Sequence, residues 1–342
     1  MDVVITDTIR EIDEKEWNTF AGHDFVEQSH QWYRAIEDSG IRATRYVFVK
    51  ENKKLKAAAC AYIHSETLHN FRMPFLNVKS PLGFSPAFFF SSSETSHALV
   101  RALKNIQARE KTKGILLLDF RRTDFDVLRN QLREFLYFPI RDVMYIDLNF
   151  SDFDDYLSSL HASARRSVRK TLNRAEKRWK ITFLATNEFS QWKNIVCRLQ
   201  EHTCREHNDY VGFLPAQFYD ALERNLKENA ELLLFFKDGT PIASGLSLNS
   251  PTISHHKLPG VHPEYRMYQA YFLLYYEGIK RALEKRQKRI YFGPTTYAFK
   301  EKIGCKRESI FGFAQMENLL LDKVLKAYFK VSKLFRNQQS GT

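Results

Sequence analysis

The stretch Tyr291-Phe-Gly-Pro-Thr-Thr-Tyr-Ala-Phe-Lys-Glu-Lys-Ile-Gly304 decides how the rest of the chain is read. A β-prone run, Arg289-Ile-Tyr-Phe292, stops at Gly293-Pro294, where a ladder cannot easily continue. Small and hydroxyl residues follow at Thr295, Thr296 and Tyr297. Then come Phe299-Lys300, Gly304 and a second β-prone run over 309–313. A lysine set between aromatic residues just past a strand end can meet a reacting group. Taken alone, the same stretch also reads as an ordinary connecting loop with a solvated lysine.

The remaining chain changes that balance. Its 342 residues suffice for two domains with cores of their own, and 44% hydrophobic residues, 28 of them phenylalanine, describe a globular chain. The 52 Lys and Arg against 40 Asp and Glu leave a formal charge of +12, which favours an anionic partner: nucleic acid, a phosphorylated substrate or a membrane surface. Cys60, Cys197, Cys204 and Cys305 form no CxxC pair and match neither a zinc site nor a disulfide framework, so no metal is expected. Reduced thiols point to the cytoplasm. The acidic start, Met1-Asp-Val-Val-Ile-Thr-Asp7, lacks the order of a signal peptide, and no apolar run reaches the roughly 18 residues of a spanning helix.

In chain order, strands are expected at 3–6, 44–50, 56–64, 75–79, 114–120 and 144–148, with helices at 13–20, 29–40, 93–110 and 124–135. Ser29 and Gly40 bracket the second helix as N-cap and C-terminal glycine. The later half repeats the plan: a strand at 180–184, helices at 188–207 and 216–227, and a hairpin of 230–237 and 241–248 around Asp238-Gly239. A strand at 253–257, a long helix at 268–286 and the strand 289–292 follow. Two halves of like plan suggest duplication. A last basic amphipathic helix is expected over 318–335.

Between the halves, 153–180 keeps helical periodicity but turns basic. Arg166, Arg169, Lys170, Arg174 and Lys177 fall on one broad face, with Arg165 beside them. Such a stripe is either a solvated linker helix or an anion-binding face.

The segments Glu231-Leu-Leu-Leu-Phe-Phe-Lys-Asp-Gly-Thr-Pro-Ile-Ala-Ser-Gly-Leu246, His262-Pro-Glu-Tyr-Arg266 and Tyr271-Phe-Leu-Leu-Tyr-Tyr-Glu-Gly-Ile-Lys-Arg-Ala282 together resemble the Fem-type aminoacyl transferases, a branch of the GNAT acyltransferase superfamily. Gly293-Pro294, Phe299-Lys300 and Gly304 are similar to that family's closing motif. Leu160-His-Ala-Ser-Ala-Arg-Arg-Ser-Val-Arg-Lys170 looks like its basic helix, and Ser29, Trp32 and Ser80-Pro-Leu-Gly83 look like first-domain signals. The resemblance spans nearly the whole chain and implies an α/β (α+β) fold of two tandem GNAT-like domains, each a mixed, mostly antiparallel twisted sheet flanked by helices. The expected division is an N-terminal domain 1–152, a basic bridging helix 153–180, a catalytic domain 181–316 and a basic tail 317–342.

The resemblance implies acyl transfer from an activated donor, aminoacyl-tRNA or acyl-CoA, to a small-molecule or peptide amine, with no further cofactor. Enzymes that use CoA carry a glycine-rich turn before the long helix, where backbone N–H groups grip pyrophosphate. This chain has Arg266-Met-Tyr-Gln-Ala-Tyr271 there, without glycine, which argues for aminoacyl-tRNA. A non-catalytic GNAT-like protein that binds nucleic acid or an anionic surface through 165–180 and 323–336 is the reading from another class.

An activated ester needs alignment with the amine, a route for the proton and donors for the developing oxyanion. Lys300 is expected to stabilise charge at the reacting carbonyl, held by Phe299. Tyr297, Thr295 and Thr296 are hydrogen-bond donors beside it, and Gly293 completes the lining. His255 and His256 sit on one strand and so point to opposite faces, one of them available as a base. Asp119, Arg121 and Arg122 follow a buried strand where α/β sheets place ligands, so an arginine there can bind an acceptor's carboxylate or phosphate, with Lys79 and Arg266 as further candidates. For each of these the ordinary alternative is a structural ion pair or hydrogen bond.

Overall fold

A computed structural model describes residues 1–22, 24–68, 71–208, 213–318 and 323. Its elements in chain order are β1 (Asp2–Thr6), α1 (Glu14–Ala21), α2 (His30–Ser39), β2 (Thr44–Glu51), β3 (Lys54–Leu68), β4 (Phe71–Val78), β5 (Phe88–Phe90), α3 (Ser93–Glu110), β6 (Gly114–Phe120), α4 (Arg122–Gln131), β7 (Leu136–Asp147), α5 (Phe153–Ser159), α6 (Ala162–Asn173), β8 (Ile181–Thr186), α7 (Phe189–His207), α8 (Ala216–Leu226), β9 (Ala230–Lys237), β10 (Thr240–Asn249), β11 (Ile253–Val261), α9 (Ala270–Glu284), β12 (Arg289–Tyr291), α10 (Tyr297–Lys302) and β13 (Lys306–Met316).

Two compact units emerge. One comprises 1–21, 42–141 and 309–342, the other 22–41 and 142–308. Both are discontinuous, whereas the linear reading cuts the chain at 152, 180 and 316.

In the first unit the strand order is β1-β2-β3-β4-β6-β13, with β5 on the far end of β3. All neighbours are antiparallel except β4 and β6, which run parallel. The core lies under α3, where Leu99, Leu103 and Ile106 meet Val47, Ala59, Leu76 and Leu117. The helix forms because Ser92 and Thr95 make a reciprocal capping box at its start.

The second unit repeats this plan with the same senses: β8-β9-β10-β11 antiparallel, β11 and β12 parallel, β12 and β7 antiparallel. The duplication suspected from element order is therefore present in strand pairing. The sixth strand of each sheet comes from the other half of the sequence, β13 in the first unit and β7 in the second. The segment 22–41 likewise packs in the second unit, where Trp32 meets Phe218 of α8 edge to face at 5.6 Å.

Helices cover both faces of the second sheet. On one, α9 buries Leu273, Leu274, Tyr275 and Ile279, joined by Tyr156 and Leu157 of α5 and Val168 and Ala175 of the basic segment. On the other lie α7, α8 and α2. The β9–β10 hairpin turns through Asp238 and Gly239, both at positive φ (49° and 78°), as a two-residue loop matched to strand twist requires.

Local differences from expectation have local causes. Helix α4 stops at Gln131, and the strand expected at 144–148 begins at Leu136, because Leu136-Tyr-Phe-Pro-Ile is β-prone but half-buried and lacks a continuous apolar run to mark it. The helix expected over 153–180 breaks at Leu160-His161, where the His161 ring accepts from Ser163 N and caps α6, and it ends in a π-helical turn at Arg174–Arg178. Tyr297–Lys302 is a short helix where a loop was expected. The helix expected at 318–335 lies outside the described residues, apart from Asn318 and Lys323.

Candidate active site

The second unit's sheet opens where its parallel strands part. β11 and β12 pair through Ile253↔Arg289, Ser254↔Ile290 and His255↔Tyr291. There β12 ends, and Phe292 turns to bond Met144, its N–H reaching that carbonyl at 2.8 Å. β11 runs on to Val261 with β10 alone beside it among the described residues. A sheet that splays after a few parallel rungs leaves a cleft at strand ends, the position that favours ligands in α/β sheets.

The loop leaving this point is strained and clamped. Gly293, Thr295 and Thr296 have φ of 57°, 81° and 47°. The left-handed region is costly for β-branched threonine, and such strain persists only where surroundings over-determine it. Lys300, 1% exposed, supplies that determination. Its Nζ donates to the carbonyls of Phe292 (2.6 Å), Gly293 (3.0 Å) and Pro294 (3.1 Å). All three ammonium hydrogens are thereby engaged. Burial lowers its pKa to about 8, against a small opposing influence of Cys305. Three carbonyl acceptors favour the charged form, so the group is a buried ammonium at neutral pH.

Aromatic rings surround it. Tyr275 lies 5.9 Å from the ammonium and 4.9 Å from Phe292, and Phe299 packs on Phe272 at 4.7 Å and Tyr275 at 5.1 Å. From this nest a hydroxyl chain reaches the surface: Tyr275 to Tyr271 at 2.8 Å, then Tyr271 to exposed Thr296 at 3.2 Å. Burial pushes the Tyr275 hydroxyl well above its ordinary pKa, so it stays a donor. Tyr271 and Tyr275 are the donors the sequence reading missed. The available signal was two tyrosines at i and i+4 on the helix that precedes the lysine loop. Tyr297 is elsewhere engaged, donating to the Asp142 carbonyl at 2.9 Å under the Arg307 guanidinium.

The two histidines part to opposite faces as strand alternation requires. His256 lies on the α9 face, 5.6 Å from Phe292. A Cβ on Gly278 would overlap the His256 ring, so the helix carries glycine to admit it. Burial, then His255, Lys285 and Arg281, hold its pKa down to about 3, making it a weak base. His255 lies on the other face, 5% exposed, its Nδ1 3.5 Å from Glu27. Glu27 also pairs with Lys257, and both are buried. The sequence reading missed Glu27 and Lys257, since they are 230 residues apart in the chain.

The other expected residues are dispersed. In the first unit Lys79, partly buried, pairs with buried Asp119 just beyond the last parallel rung, Val78↔Leu117. Burial alone would lower the pKa of Lys79, but the Asp119 carboxylate raises it. Asp119 sits at φ 68°. The Arg121 backbone N–H bonds Asp124 at the start of α4, while Arg122 pairs with Asp126 and lies over Phe125 and Phe311. In the second unit Arg266 pairs with Glu206 beside a shallow depression of about 420 Å³. Of the basic segment, Arg166, Arg169, Lys170 and Lys177 are exposed and Arg165 and Arg174 half-buried. Arg165 donates to the Ser158 carbonyl and Arg169 lies 3.7 Å from Asp154. Thr171, buried on the opposite side, bonds Gln269 at the start of α9. Gln269 itself takes φ 57° without glycine. Among the described residues no cluster of metal ligands occurs, and no helix is long and apolar enough to cross a membrane.

A repeated six-strand sheet with a parallel pair that splays beneath a long helix defines a tandem GNAT-like protein. The FemAB_like family, described as peptidoglycan biosynthesis/recognition, matches residues 84–337, and the chain belongs to it. Solved structures agree on the fold. The crystal structure of FemX superposes with a TM-score of 0.67 at 16% identity, covering 95% of this chain and 99% of that one. L-PGS from Bacillus licheniformis gives 0.54 at 12% identity, covering 93% and 96%. A tandem GNAT protein from the clavulanic acid biosynthesis pathway, solved without AcCoA, gives 0.57 at 9% identity, covering 93% and 99%. No curated protein matches the sequence.

Proposed function

We propose that this protein transfers an aminoacyl group from aminoacyl-tRNA to an amine, forming an amide, at the cleft between β11 and β12. The observation that carries the reading is the Lys300 clamp. A strained loop at a splayed strand end, pinned by a buried ammonium and rimmed by hydroxyl donors, is a preorganised place for a carbonyl that gains negative charge. Thr296 and Tyr271 would donate to the developing oxyanion. Lys300, with its N–H groups engaged by the loop, would act by holding the loop and by its charge. The acceptor amine loses a proton on attack, and the Tyr271–Tyr275 hydroxyl pair offers a relay to the surface. The ring that faces the ammonium is Tyr275 and not, as expected from the sequence, Phe299, which packs behind it on Tyr275. His255, fixed against Glu27, would position the strand end and would not itself touch the substrate.

Two features favour a tRNA donor over CoA: the absence of glycine across Arg266 to Ala270, and the exposed cations of α6. An acyl-CoA donor is the second reading, favoured by the likeness to a tandem GNAT protein whose description mentions AcCoA. Lys79, Asp119, Arg121 and Arg122 would then serve the first unit's own structure or an acceptor's anionic group.

The test supplies a radiolabelled aminoacyl-tRNA mixture or labelled acetyl-CoA, with amine acceptors that include peptides with a free N-terminus and an amino sugar. Label moving from tRNA into a product stable to mild base, as amides are and aminoacyl esters are not, supports the first reading. Transfer from acetyl-CoA alone supports the second.

A further inference from the structure

A line of five aromatic rings runs across the second unit toward the start of α9. Trp179 meets Tyr268 at 5.7 Å, Tyr268 meets Tyr265 at 6.0 Å, Tyr265 meets His262 at 5.0 Å and His262 meets His202 at 5.3 Å. Successive rings are turned by 87°, 32°, 88° and 52°, so none of the four contacts is a parallel stack. Each ring is only partly buried; Trp179, Tyr265 and Tyr268 rest one side on the second unit's core and leave the rest of their surface to solvent. Met267, 68% exposed, stands among them.

Charge surrounds one end. Lys177, Arg178 and Lys180 flank Trp179 in sequence, all three are exposed, and none makes an ion pair among the described residues. Lys237 lies 6.0 Å over the Tyr268 ring and is paired with Asp238. By contrast Arg266 and Arg205, nearer the far end, are already paired with Glu206 and Glu201. The turn that carries Tyr265 and Tyr268 (Pro263–Tyr268) leads directly into α9, and Tyr271 on the first turn of α9 is the residue bonded to Thr296 at the candidate active site.

Partly exposed aromatic rings beside unpaired cations have the chemistry of a surface that stacks unpaired bases and neutralises their phosphates. A lone adenine would use one rung; five in series suit several consecutive bases. We infer that this ladder receives the unpaired 3′-terminal nucleotides of an RNA donor, with bases on Trp179, Tyr268 and Tyr265 and phosphates on Lys177, Arg178 and Lys180. The inference rests on the aminoacyl-tRNA reading and states which surface delivers the ester to Thr296 and Tyr271.

The experiment measures binding of a single-stranded RNA 12-mer, a blunt RNA duplex of equal length, and coenzyme A, each across a salt series. The single strand should bind more tightly than the duplex. Trp179→Leu and Tyr265→Leu should each weaken single-strand binding about tenfold without changing the slope of log affinity against log salt, because stacking releases no counterions. Lys177→Ala with Arg178→Ala should flatten that slope. Trp179→Phe, which keeps a ring, should retain most of the affinity and guards against a folding defect in the leucine variant. Equal affinity for duplex and single strand, or leucine variants that bind like the parent, would overturn the ladder while leaving the donor reading intact if the parent still turns over aminoacyl-tRNA. Binding of coenzyme A with no binding of either RNA would overturn both.

Discussion

Lys300 Nζ lies 2.6 Å from the carbonyl oxygen of Phe292, the last residue before a backbone run that is left-handed at Gly293, Thr295 and Thr296. One side chain therefore ties a strand end to a strained loop. Lys300→Met keeps the aliphatic stem and removes three charge-assisted donors. The expected loss is about 1–3 kcal/mol of stability, from buried carbonyls left unsatisfied. Amide exchange should quicken at Thr295 and Thr296, and the transfer rate should fall by about two orders of magnitude. Hydrogen exchange by mass spectrometry alongside a rate assay checks this. Unchanged loop exchange would mean that the lysine does not hold the loop.

The same group gives a pH signature. With a pKa of about 8, Lys300 loses its charge above that pH, so activity should decline on the alkaline side of 8. Stability moves the other way. Between pH 8 and the free-lysine value near 10.4, the unfolded chain binds a proton that the folded chain does not, so this residue's contribution to folding stability rises with pH. A rate that falls while the unfolding midpoint in urea does not is the expected result. Parallel loss of both would attribute the decline to unfolding.

Gly278 and His256 form a lock between α9 and β11. Gly278→Ala gains helix propensity of about 1 kcal/mol, but its Cβ would overlap an imidazole backed by Phe292. Net destabilisation of about 1–3 kcal/mol is expected, removed in the double variant with His256→Ala. His256 also predisposes the unit to acid. Its folded pKa near 3 lies below the ordinary 6.5, so as pH drops below 6.5 the unfolded chain takes up a proton that the folded one refuses, and stability falls. By pH 5 the loss should be on the order of 1–2 kcal/mol, and His256→Phe should reduce it in denaturant titrations at pH 5 and 7.

Lys79 and Asp119 stand at the equivalent parting of parallel strands in the first unit, joined to each other. Removing one partner leaves a buried charge, so Lys79→Met should cost about 3–5 kcal/mol. Adding Asp119→Asn should restore much of that, since asparagine tolerates the left-handed backbone at this position. Thermal melts of the single and double variants decide it. A single variant as stable as the parent would show that the pair carries no structural duty.

Much of this fold was legible because its signals are local. Periodicity placed α3 at 93–110 and β6 at 114–120 to the residue, and Ser29, Gly40 and Asp238-Gly239 marked their cap and turn positions correctly. The exchange of β7 and β13 was not legible, because strand pairing is a long-range choice and both strands satisfy a local pattern in either sheet. At the site, the order along the chain placed the lysine just past the strand end, but the ring that faces it, Tyr275, comes from α9 and was not foreseen. What the lysine touches did not: that depends on the left-handed φ values of Thr295 and Thr296, which β-branched residues rarely adopt. The Glu27–Lys257 pair was invisible for the plain reason that its members meet only through tertiary folding.

The central claim is tested most directly by following a labelled amino acid from tRNA into a base-stable product, comparing the parent protein with Lys300→Met. The account expects amide formation by the parent, little by the variant, and an alkaline limb near pH 8 in the parent alone. Equal amide formation by both proteins would contradict it, as would transfer from acetyl-CoA with none from aminoacyl-tRNA.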